Sequence, residues 1–178
     1  YKEERRIKIF DWCEGTSNAS QEIDYLVKVG DFEAPNFKNC ADELDEYDSD
    51  GGTWSELIGD LNSGEYSTPE VVCATVSTGP MNCTAAIFTN LSQFGDVLED
   101  NCGINNVTVE VISYGPELVS GFPTGRNIWS IGGYVRQGNM IVGLPLGKHA
   151  LVISADDDCY NSQLGILFFD VVDKVKPI

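Results

Sequence analysis

The stretch "CYNSQLGILFFDVVDKVKP", Cys159 to Pro177, sets an apolar run, "LGILFFDVV", between an acidic turn and a proline. An apolar run of this length bounded by turn residues predicts a strand that is buried on both faces. The same order occurs in "CEGTSNASQEIDYLVKVGDFEAP", Cys13 to Pro35, where a cysteine after an acidic turn leads into a loop and a hydrophobic strand. In both stretches an aspartate stands four residues before the proline. We interpret the two stretches as copies of one structural unit.

The two copies divide the chain into modules. Proline has no N–H to donate to a sheet and keeps the residue before it extended, so it ends strand pairing without reversing the chain. Asp31–Pro35 and Asp173–Pro177 are therefore predicted to be junctions. The expected organisation is the closing strands of a preceding module in residues 1–30, a complete module in residues 31–172, and the start of a following module in residues 173–178.

Strand patterns dominate the rest of the chain. Alternating or β-branched runs predict strands, and these runs are "RRIKIFDW", "EIDYLVKV", "NNVTVEVISY", "NMIVGL" and "HALVISA". The third run places Val107, Val109 and Val111 on one face of its strand. Only "TWSELIGDLNSG" and "LSQFGDVLED" have patterns compatible with a helical turn or two. The sequence therefore predicts an all-β chain, with turn residues at intervals typical of a sandwich.

The charge of the chain excludes several classes of partner. Asp and Glu number 28 against 11 Lys and Arg, which gives a formal net charge of −17. Such a charge repels phosphates and anionic lipids, so neither nucleic acid nor membrane insertion is expected. No apolar run approaches the roughly 20 residues that a membrane-spanning helix needs.

The cysteines indicate an oxidising, extracellular environment. The chain has six of them and one histidine, and no C-x-x-C pair occurs, so disulfides are expected rather than a zinc site. A bond between Cys13 and Cys40 would close the first junction. It would leave Cys73, Cys83, Cys102 and Cys159, whose three possible connectivities the sequence leaves open. His149 begins a strand and is expected at a surface or an edge.

Several segments together resemble the hyalin-repeat (HYR-like) class of immunoglobulin-like modules. They are "DFEAPNFKNC", "STGPMNCTAAI", "EDNCGINNVTVEVIS", "LPLGKHALVISADDDC" and "DKVKP", and they cover the N-terminal tail and roughly residues 69–178. The resemblance is strongest to the versions repeated along giant surface proteins of Bacteroidetes, including adhesins of gliding motility. It implies tandem immunoglobulin-like β-sandwiches stabilised by disulfides, and it implies the pairs Cys73–Cys102 and Cys83–Cys159. The acidic segment at about 41–68 is longer than is usual for the class and is interpreted as an insertion.

The function implied by the resemblance is structural. The chain is expected to be a non-catalytic repeat segment of an extracellular modular adhesin or surface filament, used in cell-surface attachment or gliding. Its partners would be neighbouring modules of the same chain, further copies in a fibre, and a glycan or other surface ligand. No catalytic residue is predicted, because carboxylates are too abundant to single out a pair and no thiol stands at a suggestive spacing from the histidine.

Acidic residues near the junctions form a candidate calcium site, although no cofactor is required. Hard cations prefer oxygen ligands, and these could come from carboxylates at the junctions and in the "SADDDC" turn. The candidate ligands are Asp31, Glu33, Asp156, Asp157, Asp158 and Asp173. The segment "DEYDSDGG" also has alternating aspartates before two glycines, but the twelfth residue from Asp48 is Gly59 and not the glutamate of an EF-hand. A solvated acidic turn is the alternative interpretation.

Two tryptophans support an alternative function. Trp54 and Trp129 lie in polar, Gly-rich contexts, "GGTWSE" and "GRNIWSIGG". Exposed aromatic rings there could face a ligand and stack on sugars, which would make the chain a carbohydrate-binding module. A second alternative is a small secreted effector or inhibitor that is complete at this length.

Overall fold

The structure is a computed structural model that describes residues 2–10, 20–28, 30–44, 54–64, 72–79 and 82–174. The chain divides into two compact units, Tyr1–Phe32 and Glu33–Ile178. The described residues are mostly in β-strands, as the sequence predicts, and one helix lies among them.

The first unit contains an antiparallel hairpin of β1 (Lys2–Phe10) and β2 (Ser20–Lys28). Ile7 lies opposite Ile23 in the ladder, and strand alternation places Ile9 and Tyr25 on the same face. These four side chains are between 38% and 50% exposed. The other face carries the ion pairs Arg6–Asp24 and Lys8–Glu22. Four apolar side chains therefore cluster on one face, next to Arg5 opposite Tyr25, and the two ion pairs lie on the other face.

Among its described residues, the second unit has eleven further strands and the helix. In chain order they are β3 (Asn36–Phe37), β4 (Ala41–Glu43), α1 (Trp54–Ser63), β5 (Ala74–Ser77), β6 (Thr84–Phe88), β7 (Leu98–Glu99), β8 (Ile104–Val119), β9 (Phe122–Ile131), β10 (Val135–Gln137), β11 (Met140–Pro145), β12 (Gly147–Asp157) and β13 (Ser162–Val172).

These strands form two main sheets. The larger has the order β4-β13-β12-β8-β9, and β5 also pairs with β13. Its pairs are antiparallel except β5 with β13, which is parallel. The smaller sheet has the order β10-β11-β6, and a short ladder joins β3 to β7. Because β4 meets β13 at Gly165–Leu167 and β5 meets it at Phe169–Val172, these two strands share one edge of β13.

The centre of the large sheet is buried on both faces, as the run "LGILFFDVV" predicts. Side chains on one face, including Leu167 and Phe169, share a hydrophobic cluster with Ile87 and Ile141 of the small sheet. Val107, Val109 and Val111 belong to this face together, as expected. Side chains on the other face pack against Leu57 and Leu61 of α1, and they include Val152, Ile166 and Phe168. The second unit is thus layered as small sheet, large sheet and helix.

The helix belongs to the acidic segment that the sequence marks as an insertion. Its apolar residues Leu57, Ile58 and Leu61 recur at helical spacing and contact the large sheet. Gly64 ends the helix with φ +81°, and its N–H donates to the Asp60 carbonyl at 3.0 Å. The ten residues of α1 therefore cover sheet surface that would otherwise face water.

The second segment with a helix-compatible pattern, "LSQFGDVLED", does not form a helix. It makes turns and then enters β7. Leu91 and Gly95 have φ of 62° and 85°, which lies outside helical geometry and interrupts the segment. Within the described part of the chain, no helix has the length and apolar character needed to cross a bilayer.

Candidate functional site

The first disulfide joins Cys40 to Cys73, with their Cα atoms 5.3 Å apart. Strand register brings these residues together: Ala41 lies opposite Leu167 of β13, and Ala74 lies opposite Phe169. The Cys73 N–H also donates to the Phe168 carbonyl at 2.7 Å. The bond thus connects the two strands that share one edge of β13.

The second disulfide joins Cys102 to Cys159, with their Cα atoms 6.5 Å apart. Cys102 precedes β8 and Cys159 follows β12, and these strands pair with Ile104 opposite Asp157. The Asp158 N–H donates to the Gly103 carbonyl at 3.0 Å. The bond therefore closes the end of the β8–β12 ladder.

The disulfide pairs expected from the sequence, Cys13–Cys40, Cys73–Cys102 and Cys83–Cys159, are wrong for the described cysteines. Cys83 is an exposed free thiol. Its neighbour Thr84 pairs with Pro145, near the start of β12, whereas Cys159 follows the end of that strand. A strand of eleven residues spans roughly 36 Å, far beyond disulfide reach. Cys13 lies outside the described residues. The two bonds present indicate an oxidising, extracellular environment.

Asp157, a predicted calcium ligand, organises the turn between β12 and β13. Its Oδ1 accepts the N–H of Cys159 at 2.7 Å and of Asn161 at 2.8 Å, and its Oδ2 accepts the Asn161 amide at 2.7 Å. Although burial opposes the charged form, the hydrogen bonds from Asn161 and Cys159 hold the pKa of Asp157 below its ordinary value. Both carboxylate oxygens are therefore used to shape the turn.

The other predicted calcium ligands do not converge on one point in the second unit. Asp156 accepts hydrogen bonds from Asn106 and Ser162, and Asp158 is exposed. Asp173 follows the far end of β13 and accepts a hydrogen bond from Thr78 at 3.3 Å. The "SADDDC" turn and Asp173 are thus separated by the length of β13 and cannot share an ion. Asp31 belongs to the first unit.

Glu33 lies beside the "SADDDC" turn, where the second unit begins. Its carbonyl accepts a hydrogen bond from the Asn161 side chain at 3.0 Å, and its carboxylate accepts one from Asn101 at 3.3 Å. Together with Glu99 and Asp100, Glu33 lines a groove of about 290 Å³. Carboxylate oxygens suit a hard cation, so this groove is where the second unit could hold one.

Most carboxylates of that groove already have partners. Asp100 Oδ1 accepts the Cys102 N–H at 2.7 Å, and Glu99 accepts a hydrogen bond from Lys38 at 2.9 Å. Hydrogen bonds to Asp96 and Glu99 raise the pKa of the Lys38 ammonium above its ordinary value. The sequence did not reveal this grouping, because Glu33 and Glu99 are brought together by the β3–β7 ladder.

Trp129 is not the exposed aromatic that its sequence context suggested. It is 7% exposed, and its ring packs edge-on against Phe168 with centroids 5.6 Å apart. Asn62 of α1 holds it in place: the Asn62 Oδ1 accepts the Trp129 N–H at 2.7 Å, and the Nδ2 donates to the Trp129 carbonyl at 3.1 Å. The helix covers the ring because its last turn is bonded to β9. The side chain of Trp54 lies outside what the structure describes.

A groove of about 340 Å³ lies where α1 ends on the large sheet. Tyr114, Asn127 and Lys148 line it together with Asn62, Gly64 and the edge of Trp129. The rings of Tyr114 and Trp129 are 5.2 Å apart and tilted by 47°, and Tyr114 is 40% exposed. The sequence did not single out Tyr114, Asn127 or Lys148, because three strands bring them to one face.

His149 is buried, although the sequence suggested a surface or edge position. It is 1% exposed and stacks on Phe169 with centroids 5.2 Å apart. Its Nε2 lies 2.8 Å from the Pro145 carbonyl and must donate, so its Nδ1 accepts from the Ser113 hydroxyl at 2.9 Å. Burial lowers the pKa of His149, against smaller opposing effects of the Pro145 hydrogen bond and the Asp170 charge. The ring is neutral and structural.

Comparison with known proteins gives no family for the chain. No protein-family model matches the sequence, and no curated protein matches it.

Proposed function

We propose that this chain is a non-catalytic segment of an extracellular modular adhesin or surface filament, built from immunoglobulin-like modules in tandem. In this proposal the second unit is one complete module. The β1–β2 hairpin is the closing hairpin of the module before it, and residues 173–178 begin the next one. Each module acts as a spacer that extends the filament outward from the cell.

The observation that carries the proposal is where the chain enters and leaves the second unit. Glu33 lies at the turn before β13, through its hydrogen bond with Asn161. Asp173 directly follows the other end of that strand. The eleven residues of β13 separate these points by roughly 36 Å. A module whose connections lie at opposite ends can be joined to others in an extended row.

The repeated hairpin supports the same proposal. The β1–β2 and β12–β13 pairs are both antiparallel hairpins, and each leads into an Asp-x-x-x-Pro stretch. In the second unit the hairpin has strand neighbours on both edges. A two-stranded hairpin alone is marginally stable in water. The partly exposed apolar cluster of Ile7, Ile9, Ile23 and Tyr25 is consistent with a hairpin that needs a sheet around it.

The sheet order supports an immunoglobulin-like module. Sandwiches of this type place their C, F and G strands in one antiparallel sheet, with an added C′ strand at the edge in variable-type domains. The order β13-β12-β8-β9 fits G-F-C-C′, and β6, β11 and β10 fit B, E and D of the facing sheet. The departures include the separate β3–β7 ladder, and β4 and α1, which the acidic insertion adds.

Labelling of intact cells tests the proposed location. Antibodies raised against the chain are expected to label the outer surface of unpermeabilised source cells, in extended structures. The parent gene is expected to encode further copies of the cysteine, strand and Asp-x-x-x-Pro pattern on both sides. An antibody against a periplasmic protein of the same cells is the control for leakage.

Two results would contradict the proposal. One is a label that appears only after permeabilisation. The other is a parent gene without further copies, whose product is released as a single free protein, which would favour the secreted effector.

A further inference from the structure

We propose that the groove at the end of α1 is a binding site for a neutral saccharide, with one sugar ring against Tyr114. This inference goes beyond the role of a spacer and does not depend on it, because it concerns the side chains of the second unit alone. It assigns a ligand class to residues that the sequence did not single out.

The groove has the size and walls of a small-molecule site. Its volume of about 340 Å³ lies within the roughly 300–1,000 Å³ typical of ligand pockets. Strands β8, β9 and β12 supply Tyr114, Asn127 and Lys148, so rigid elements position the lining. The two hydrogen bonds between the Asn62 amide and the Trp129 backbone, one donated by each partner, fix the helix against this wall.

The aromatic pair offers a face for a sugar ring. Trp129 is buried and supports Tyr114, whose ring is tilted against it and 40% exposed. An aromatic face with a polar hydroxyl at its tip suits a ligand that is apolar on one side and polar at its rim. A pyranose has that character, because its axial C–H groups gather on one face and its hydroxyls surround the ring.

Polar groups that are not already used line the groove beside this ring. Among the described residues, the structure records no hydrogen bond or ion pair of the Asn127 amide or the Lys148 ammonium. The amide can both donate and accept, and the ammonium donates three hydrogen bonds, a set that suits neighbouring hydroxyls. The Asn62 amide differs from them, since it is bonded to the Trp129 backbone.

The charges around the groove favour a neutral ligand. The Lys148 ammonium disfavours a cation in the groove. The negative C-terminal end of the helix dipole at Gly64 offsets part of the attraction of Lys148 for an anion, and the net charge of −17 repels anions that approach the chain. A neutral, hydroxyl-rich ring remains as the ligand class that fits both charge and shape.

The test is a titration of the whole chain with neutral disaccharides, followed by amide chemical shifts. The probes are cellobiose, maltose, lactose and N,N′-diacetylchitobiose. We expect at least one of them to bind with a Kd on the order of 1 mM. The shifted amides should lie on β8, β9 and β12 around Tyr114. Tyr114→Ala and Lys148→Ala should each weaken the binding about tenfold, which is about 1.4 kcal/mol.

Matched variants at other exposed positions serve as controls. Tyr160 is 89% exposed in the β12–β13 turn, and Lys174 is exposed beyond β13. Tyr160→Ala and Lys174→Ala should leave the affinity unchanged. If Tyr114→Ala lowers the melting temperature, Asn127→Ala tests the groove in its place, because the Asn127 side chain is exposed.

Three outcomes would overturn the proposal. The first is that no amide shifts with any of the four sugars at about 20 mM, a concentration well above the expected Kd. The second is that the shifted amides lie elsewhere on the molecule. The third is that Tyr114→Ala, Lys148→Ala and Asn127→Ala all leave the binding unchanged. Binding of glucuronate in place of the neutral sugars would show that the charge argument is wrong.

Discussion

At the scale of single residues, His149 is the clearest case of a side chain whose surroundings decide its chemistry. Its ring is enclosed by Phe169, and both nitrogens are hydrogen-bonded. If Nδ1 took up a second proton, the Ser113 hydroxyl would have to accept a hydrogen bond from it instead of donating one. The added proton would also place a positive charge in the core. Asp170 offsets part of this cost, but the net effect still lowers the pKa of His149.

We therefore expect the free energy of unfolding to decrease as the pH falls through about 6.5, the ordinary pKa of histidine. The sign follows because the unfolded chain takes up a proton there, whereas the folded chain takes it up only at lower pH. Urea unfolding measured at a series of pH values between neutrality and mild acid gives this slope. His149 is the one histidine of the chain, so no other imidazole contributes.

His149→Gln is the control, because glutamine keeps hydrogen-bonding groups and does not titrate. This variant is expected to lose the slope in that pH range while it keeps a cooperative transition. An equal slope in both proteins would mean that another group titrates.

Burial of single residues was the least predictable property from the sequence. Trp129 and His149 both lie in local contexts typical of a surface. Trp129 is buried because α1, which is distant in the chain, is bonded to its backbone. His149 is buried because β8 and β13 flank its strand. Neither neighbour can be recognised from the residues next to them in the sequence.

At the scale of elements, strands with a regular apolar pattern could be predicted, and strands without one could not. The runs of β8, β12 and β13 predicted those strands. The sequence of β9, "FPTGRNIWSI", has no alternation and contains a proline and a glycine. It is a strand because a two-residue turn, Ser120 and Gly121 with φ of 54° and 84°, returns the chain along β8.

Two glycines give a matched test of how each kind of element tolerates a methyl group. A Cβ at Gly165 in β13 would lie 2.6 Å from the Phe37 ring, whereas a Cβ at Gly59 in α1 would have no atom within 4 Å. We expect Gly165→Ala to lower the free energy of unfolding by about 1–3 kcal/mol through overpacking. Gly59→Ala should raise it by about 0.5–1 kcal/mol, because alanine favours the helix.

Urea denaturation of the two variants checks both signs. Near-ultraviolet circular dichroism reports whether the core around Phe37 stays ordered in Gly165→Ala. A Gly165→Ala protein as stable as the parent would mean that the Phe37 ring moves aside without cost, and that the strand does not need its glycine.

At the scale of the whole molecule, the sequence predicted disulfides and two copies of one structural unit, but the cysteine pairs that it suggested are wrong. Pairing depends on which strands become neighbours, and spacing along the chain does not contain that information. Cys102 and Cys159 are 57 residues apart in sequence and adjacent in space, because β8 and β12 are paired. The acidic segment at about 41–68 was interpreted as an insertion, and only the folded sheet shows that its helix covers one face.

Each disulfide is expected to stabilise the second unit strongly. Closing loops of 33 and 57 residues corresponds to about 4 kcal/mol each in the chain-entropy description. Replacing Cys40 and Cys73 together by alanine should lower the free energy of unfolding by about that amount. Cys83→Ala should change it little, because this thiol is free and exposed. Urea denaturation under non-reducing conditions gives the values.

Peptide mapping without reduction checks the connectivity itself. Cys40 is expected to be recovered linked to Cys73, and Cys102 linked to Cys159. Recovery of a Cys73–Cys102 peptide would contradict the strand register described above.

The parallel pairing of β5 with β13 has a mechanical consequence. When the two ends of the second unit are pulled apart, tension from the Glu33 side bypasses residues 41–72 through the Cys40–Cys73 bond and reaches the start of β5. From the other side, the pull reaches β13 at Val172. The two strands are then drawn past each other along their length, so their hydrogen bonds are loaded in shear and must break together. The Cys40–Cys73 disulfide thus directs the applied force into the parallel β5–β13 ladder.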